Sequence, residues 1–180
     1  MIYMFLAHGF EEVEAIATLD VIRRASIEIK TVGIGNKTIV GSQFVPVVCD
    51  LTEDGINLDN NLKGIILPGG MPGTTNLMEN DTVNSAIDFC SDNNLLICAI
   101  CAAPMILGRK GLLAGKEAIC FPGFEDELTG AKISSDFVCK DGNIITAKGM
   151  GSAVNFGLEI VKYFAGKDAA DKLKSTLQCS

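Results

Sequence analysis

Uninterrupted apolar runs divide the chain at residues 1–7, 64–67 and 95–100, each about the length of a buried strand. Residues 27–32 read as a further strand. Residues 11–25 read as a helix that opens on Glu11 and Glu12 and closes on Arg23 and Arg24, the charge order that suits the helix macrodipole. Further helices are expected over 81–92, 102–110 and 151–165, with a short one after Gly166. Residues 38–40 and 45–48, separated by Gly41-Ser42-Gln43, predict a hairpin or edge strands. Residues 137–139 and 144–147 flank an Asp141-Gly142 turn, a strong hairpin signal. Strands that alternate with helices and are apolar on both faces predict a mostly parallel sheet covered by helices on each side. No linker, internal repeat or low-complexity segment interrupts the pattern, so residues 1–180 are expected to form one domain.

In such sheets, sites form beyond the carboxyl ends of the strands. His8-Gly9, Gly69-Gly70 and Cys101 all follow apolar runs closely and should gather at one sheet edge. Cys101 is the most informative of them. The strand Leu95 to Ile100 ends in this cysteine, two alanines follow, and Pro104 suits the first turn of a helix. A buried, inert cysteine is the commoner fate of a free thiol. A strand-to-helix turn instead gives the sulfur exposure, a helix N-terminus and free amides, each of which favours a thiolate. The same turn presents nucleophiles in other α/β enzymes. Cys98 and Cys101 also match the spacing of a dithiol redox pair. Three residues of extended strand, however, separate two Cα atoms by roughly 10 Å, and a disulfide needs about 7 Å or less. A bend at Ile100 would shorten that distance and keeps the alternative open.

On a helical wheel, Glu14 has Ala17, Thr18 and Val21 as neighbours. Packed against that surface, its carboxyl would titrate high and hold a proton near neutrality. A protonated carboxyl can donate to a thiolate or act as general acid and base. An ordinary exposed glutamate fits the same spacing equally well. Gly69-Gly70 would let backbone amides approach a ligand, as an oxyanion site requires, or would form a simple turn. No Gly-Lys-Ser/Thr follows them, so they are not a P-loop, and Gly149-Met150-Gly151 is not a dinucleotide fingerprint. His8, the single histidine, is a possible accessory group at the same cleft. One histidine among scattered cysteines offers no metal-ligand spacing, so no metal is expected.

A net charge of −7 argues against a nucleic-acid partner. Lys162, Lys167, Lys172 and Lys174 are interleaved with Glu159, Asp168 and Asp171 and read as a solvated helix face. Seven cysteines at irregular spacing fit a reducing cytoplasm better than a disulfide framework. The apolar N-terminus lacks a basic flank and reads as a strand, not a signal peptide. No apolar run is long enough to span a bilayer.

The carriers of chemistry occur together in an order that resembles the DJ/ThiJ/PfpI superfamily. They are Gly9-Phe-Glu-Glu-Val-Glu14, Asp20-Val-Ile-Arg-Arg-Ala25, Leu67-Pro-Gly-Gly70, Ala99-Ile-Cys-Ala-Ala-Pro104, Gly111-Leu-Leu and Thr146-Ala-Lys-Gly-Met-Gly151. More narrowly the chain resembles the branch that holds the Parkinson-disease-associated DJ protein and bacterial ThiJ-type proteins. The resemblance covers essentially the whole chain. It implies a flavodoxin-like three-layer α/β/α sandwich, a nucleophile-elbow cysteine at Cys101 and a homodimer. It also implies Glu14 as the protonated partner of the thiolate, with Gly69, Gly70 and the amides around Cys101 and Ala102 as an oxyanion site. Activities attributed to the family include cofactor-free conversion of methylglyoxal to lactate, repair of glycated adducts, oxidant sensing through a cysteine sulfinate and chaperone-like protection. Peptidase members carry a histidine directly after the nucleophile, where this chain has Ala102. Some glyoxalase members carry a histidine before a proline after the Gly-Leu-Leu segment, where this chain has Phe121 before Pro122.

Two readings follow. In the first, the chain is a cofactor-independent glyoxalase or deglycase whose substrate is a small aldehyde or glycated molecule. In the second, it is a non-enzymatic redox sensor or chaperone acting through Cys101 sulfinate.

Overall fold

The computed structural model describes residues 1–179. Its chain order begins with β1 (Ile2–Leu6), α1 (Glu12–Arg24), β2 (Ile29–Gly33), the short strands β3 (Thr38–Val40), β4 (Pro46–Val48) and β5 (Leu51–Thr52), and then β6 (Gly64–Leu67). There follow α2 (Gly73–Met78), α3 (Asp81–Asp92), β7 (Leu96–Ile100), α4 (Pro104–Arg109), β8 (Glu117–Ala118) and β9 (Lys132–Ile133). The last elements are β10 (Val138–Asp141), β11 (Ile144–Ala147), α5 (Ala153–Ala165) and α6 (Lys167–Thr176).

A seven-stranded sheet runs in the order β10-β11-β7-β6-β1-β2-β5. Its neighbours are parallel except for β10, which pairs antiparallel with β11 through the turn at Gly142. All five residues of β1 are buried, because each face of the strand meets a different core. Ile2, Met4 and Leu6 join the layer built with α1 and α5, through residues such as Leu19, Ile22, Phe156 and Ile160. Tyr3 and Phe5 join the layer built with α3 and α4, through Val83, Ile87, Ile106 and Leu107. Each such side chain contributes about 1.5–3 kcal/mol on burial, and the two faces together account for the uninterrupted apolar runs of the central strands. The expected three-layer α/β/α sandwich, of flavodoxin-like kind, is the fold observed.

The chain leaves β1 for β2 on one side and later enters β6 on the other side of β1. That reversal opens a crevice at the carboxyl ends of β1 and β6, with the end of β7 beside it. The turn after β6 packs directly on the turn after β1, since the Glu11 amide donates to the Gly69 carbonyl at 2.9 Å.

Boundaries differ from the sequence expectation at functionally important places. The helix expected over 102–110 begins at Pro104, because Cys101 to Ala103 form the turn that precedes it. The helix expected from 151 begins at Ala153 after a tight turn over Met150–Ser152. Helix α2 is too short for periodicity to reveal, and β5, β8 and β9 are two-residue strands that depend on their pairing partners. Among the described residues, no helix is long and apolar enough to cross a membrane.

Candidate active site

Cys101 follows the last residue of β7 and takes a left-handed backbone conformation, φ 64°. For a residue with a Cβ this costs about 1–3 kcal/mol and persists only when its surroundings impose it. Both backbone groups of the residue are held. Its amide donates to the Ala147 carbonyl at 2.9 Å, and its carbonyl accepts from the Phe121 amide at 2.8 Å. This is the strand-turn-helix elbow that presents nucleophiles.

Glu14 reaches the elbow from the first turn of α1. The carboxylate of Glu11 caps that helix by accepting from the Glu14 amide at 2.7 Å. On the next turn, the Thr18 hydroxyl donates to the Ala153 carbonyl and ties α1 to the start of α5. The Glu14 side chain is 1% exposed. Its Oε2 accepts from the Gly69 amide at 2.9 Å, while its Oε1 is buried with no directional hydrogen-bond partner. The Cys101 thiol stands beside this carboxyl, close enough for each group to shift the titration of the other. Burial is the main cause that raises the Glu14 carboxyl to about 7. With Oε2 occupied by an N–H donor, a retained proton belongs on Oε1.

The glycines permit this close packing. A Cβ on Gly69 would lie 2.6 Å from the Cys101 Cβ and 2.7 Å from Glu14 Oε2. Gly70 has φ +89°, and a Cβ there would lie 2.4 Å from the Glu11 nitrogen. No other residue type fits either position.

Several sequence expectations change. The thiol is half-buried, not exposed. The N-terminus of α4 starts three residues beyond it, so the local donors are the Gly70 and Ala102 amides. Burial, together with an ionised Glu14, pushes Cys101 up to about 12, whereas the two amides act in the opposite direction. A thiolate therefore belongs to the state in which Glu14 keeps its proton: the neighbouring negative charge is gone and the carboxylic acid becomes a donor. The Gly69 amide, expected as an oxyanion donor, is committed to Glu14, which leaves Gly70 and Ala102 facing the sulfur. Glu12, by sequence part of a simple acidic first turn, has a buried carboxylate. It accepts from the Ser42 hydroxyl at 3.1 Å and from the Gln43 amide at 2.7 Å, anchoring the β3-β4 hairpin to α1.

His8 lies on the loop after β1 and is exposed. Its Nδ1 accepts from the Val40 amide at 3.1 Å, so its ring is bound to the hairpin rather than to the thiol. Cys98 is buried within β7, and Cys98 and Cys101 are both free. Sequence reasoning misses the wall on the other side of the elbow, formed by Phe121 and Gly149. In the sequence, Phe121 stands out only as the residue in place of a histidine.

Fold and site together define an α/β sandwich with a nucleophile-elbow cysteine facing a buried glutamate. The chain belongs to the DJ-1/PfpI family, whose sequence profile matches residues 1–163. It is similar to protein dj-1beta of Drosophila melanogaster, 32% identical over 97% of this chain and 94% of that protein. It is 30% identical to a Caenorhabditis elegans protein named glutathione-independent glyoxalase DJR-1.2, over 93% of this chain and 89% of that one. The solved structure of oxidized Toxoplasma gondii DJ-1 superposes with a TM-score of 0.94 at 28% identity, covering 99% of this chain and 98% of that chain.

The titration of Glu14 has a measurable consequence. Its carboxyl titrates near 7 in the folded chain against an ordinary value of 4.5. An acid raised on folding supports the fold below its unfolded value and loses that support as the pH rises through the folded value. Glu14→Gln keeps an acceptor for the Gly69 amide and does not titrate. Its stability relative to wild type should therefore rise between about pH 4.5 and about pH 7, by up to about 3 kcal/mol. Urea unfolding of both proteins across that range checks this; a difference independent of pH would contradict a buried, high-titrating Glu14.

Proposed function

We propose that the chain is a cysteine-dependent, cofactor-independent enzyme of reactive carbonyls, converting an α-oxoaldehyde such as methylglyoxal to a 2-hydroxy acid such as lactate. The observation that carries this reading is the juxtaposition of Cys101 with a buried carboxyl whose Oε1 is unpartnered, and with the Gly70 and Ala102 amides. The glyoxalase-named relative supports it.

In this reading Glu14 holds its proton on Oε1 while Cys101 is the thiolate. Sγ attacks the aldehyde carbon: the S–C bond forms, and the carbonyl π pair moves to oxygen. The Gly70 and Ala102 amides stabilise the alkoxide until it takes the Glu14 proton. The Glu14 carboxylate then removes the hydrogen on that carbon as a proton, and the electron pair forms an enediolate with the adjacent carbonyl. Return of that proton from Glu14 to the second carbon, with the hydroxyl proton of the first carbon passing to the oxygen of the second, gives the thioester of the 2-hydroxy acid. Water cleaves the C–S bond, releasing the hydroxy acid and the thiol. One carbon is oxidised and its neighbour reduced within the same molecule, so no external electron acceptor is required. With Phe121 in place of a histidine, Glu14 is the proton carrier throughout. In the deglycase form of this proposal the Cys101 thiolate displaces the thiol or amine of a glycated adduct from its hemithioacetal or aminocarbinol carbon, that group leaves with the Glu14 proton, and the hemithioacetal on Cys101 follows the same path.

A second reading is favoured by one observation. Cys49, Cys90, Cys98, Cys120 and Cys139 are buried, Cys101 and Cys179 are half-exposed, and Cys101 stands beside an acid and two amides. Peroxide would convert its thiolate to sulfenate with release of water, and a second peroxide would give sulfinate, held by those donors.

Purified protein with reduced Cys101 should form lactate from methylglyoxal without added cofactor. Cys101→Ser should abolish the activity, and Glu14→Gln should lower it by at least about 100-fold. Product detected equally in Cys101→Ser would refute the enzyme reading. For the second reading, peptide mass mapping after dilute peroxide should find Cys101 oxidised first; earlier modification of Cys179 or Cys90 would contradict it.

A further inference from the structure

A groove of about 310 Å³ lies beside the elbow, lined chiefly by Phe121, Pro122, Phe137, Lys148, Gly149 and Met150. That volume falls within the range of small-molecule sites, about 300–1,000 Å³. Its apolar side chains are turned outward: Phe121 is 48% exposed, Phe137 66% and Met150 54%. Isolated exposed apolar residues are ordinary on protein surfaces, but a cluster of this kind around one groove marks a binding surface.

The groove is joined to the thiol through Gly149. A Cβ on Gly149 would stand 3.9 Å from Cys101 Sγ and 3.2 Å from the Phe121 ring, so Gly149 borders both the sulfur and the groove and places no side chain there. The Phe121 amide is also bonded to the Cys101 carbonyl, which fixes the ring's backbone against the elbow. A substrate whose aldehyde carbon sits at Sγ can lay its other substituent across Gly149 along this wall. A methyl group would leave most of the groove unfilled. Lys148 stands at the rim with its Nζ 5.4 Å from the centre of the Phe137 ring. A cation in that position attracts an aromatic face more strongly than an alkyl chain.

We propose that the groove is the substrate-substituent site, and that the enzyme prefers α-oxoaldehydes bearing an aromatic group over methylglyoxal. Phe121, Phe137 and Lys148 are the specificity-determining residues. This rests on the reading of Cys101 as the reacting nucleophile and deepens it by naming the substrate class. It also gives Phe121 a role: the position that lacks a histidine supplies apolar surface instead.

Two measurements keep the groove separate from the turnover chemistry. The first alkylates Cys101 with phenacyl bromide and with bromoacetone; Sγ displaces bromide from either reagent, and their ketone substituents differ as phenyl from methyl. The ratio of the two rate constants, measured at Cys101 by peptide mapping, is divided by the same ratio for N-acetylcysteine. It should be about 10 or more in the wild type and should fall towards 1 in Phe121→Ala and in Phe137→Ala. The second compares kcat/KM for phenylglyoxal and methylglyoxal, and this ratio should shift in the same direction in both variants. A normalised alkylation ratio near 1 in the wild type, or one unchanged by both substitutions, would overturn the proposal. An alkylation preference without turnover of either aldehyde would support the groove and refute the glyoxalase reading. Turnover of methylglyoxal with no aromatic preference would refute the groove alone. A preference lost on raising the protein concentration would assign the groove to a second copy of the chain and overturn the proposal.

Discussion

The site depends on one buried carboxyl. Glu14 has a single amide donor for its two oxygens and almost no access to water. A charge in that setting is costly, so the carboxyl titrates high, and its proton is available to the neighbouring sulfur. The rest of the fold serves to bring that carboxyl to Cys101. Glu11 caps α1 so that Glu14 faces inward, Thr18 ties the helix to α5, and Gly69 offers its amide from the end of β6. The reversal of strand order beside β1 places the ends of β1 and β6 in contact, with β7 next to them.

Cys101 and Glu14 share protons as a pair. If Glu14 ionises first, the thiol is pushed well above its ordinary range. If Glu14 keeps its proton, the negative charge sits on the sulfur, which has two amides and partial exposure to solvent. The sulfur has donors that Glu14 Oε1 lacks, and every step of the proposed reaction begins from that state. The strained backbone at Cys101 serves the same arrangement, because it aims both Sγ and the adjacent amides into one small volume.

The sandwich is legible in the sequence because a strand apolar at every position must be covered on both faces, and a helix-covered parallel sheet does this within a chain of this size. β1 and β7, buried along their whole length, produce the clearest signal. Glu14 is also accessible to a helical wheel, since Thr18 and Val21 on the same face are buried. Contacts between residues distant in sequence are not legible. The bond from Gly69 to Glu14 joins residues 55 apart, and that from the Gln43 amide to Glu12 joins residues 31 apart. Neither leaves a trace in periodicity. The sequence therefore leaves Gly69 as a candidate oxyanion donor and Glu12 as part of an acidic first turn. Phe121 and Met150 are hidden for a different reason: exposed apolar residues in irregular segments carry no pattern, and only their convergence on Gly149 gives them meaning.

In the proposed mechanism protonated Glu14 stabilises the Cys101 thiolate, and the pH dependence of Cys101 alkylation by iodoacetamide is the decisive measurement. Glu14→Leu removes the donor and the competing charge together. Loss of a charge-assisted hydrogen bond worth about 1.5–3 kcal/mol should raise the apparent pKa of Cys101 by about one to two units relative to wild type. A fall in that pKa would mean that Glu14 is ionised in the resting protein and opposes the thiolate, which would contradict the account.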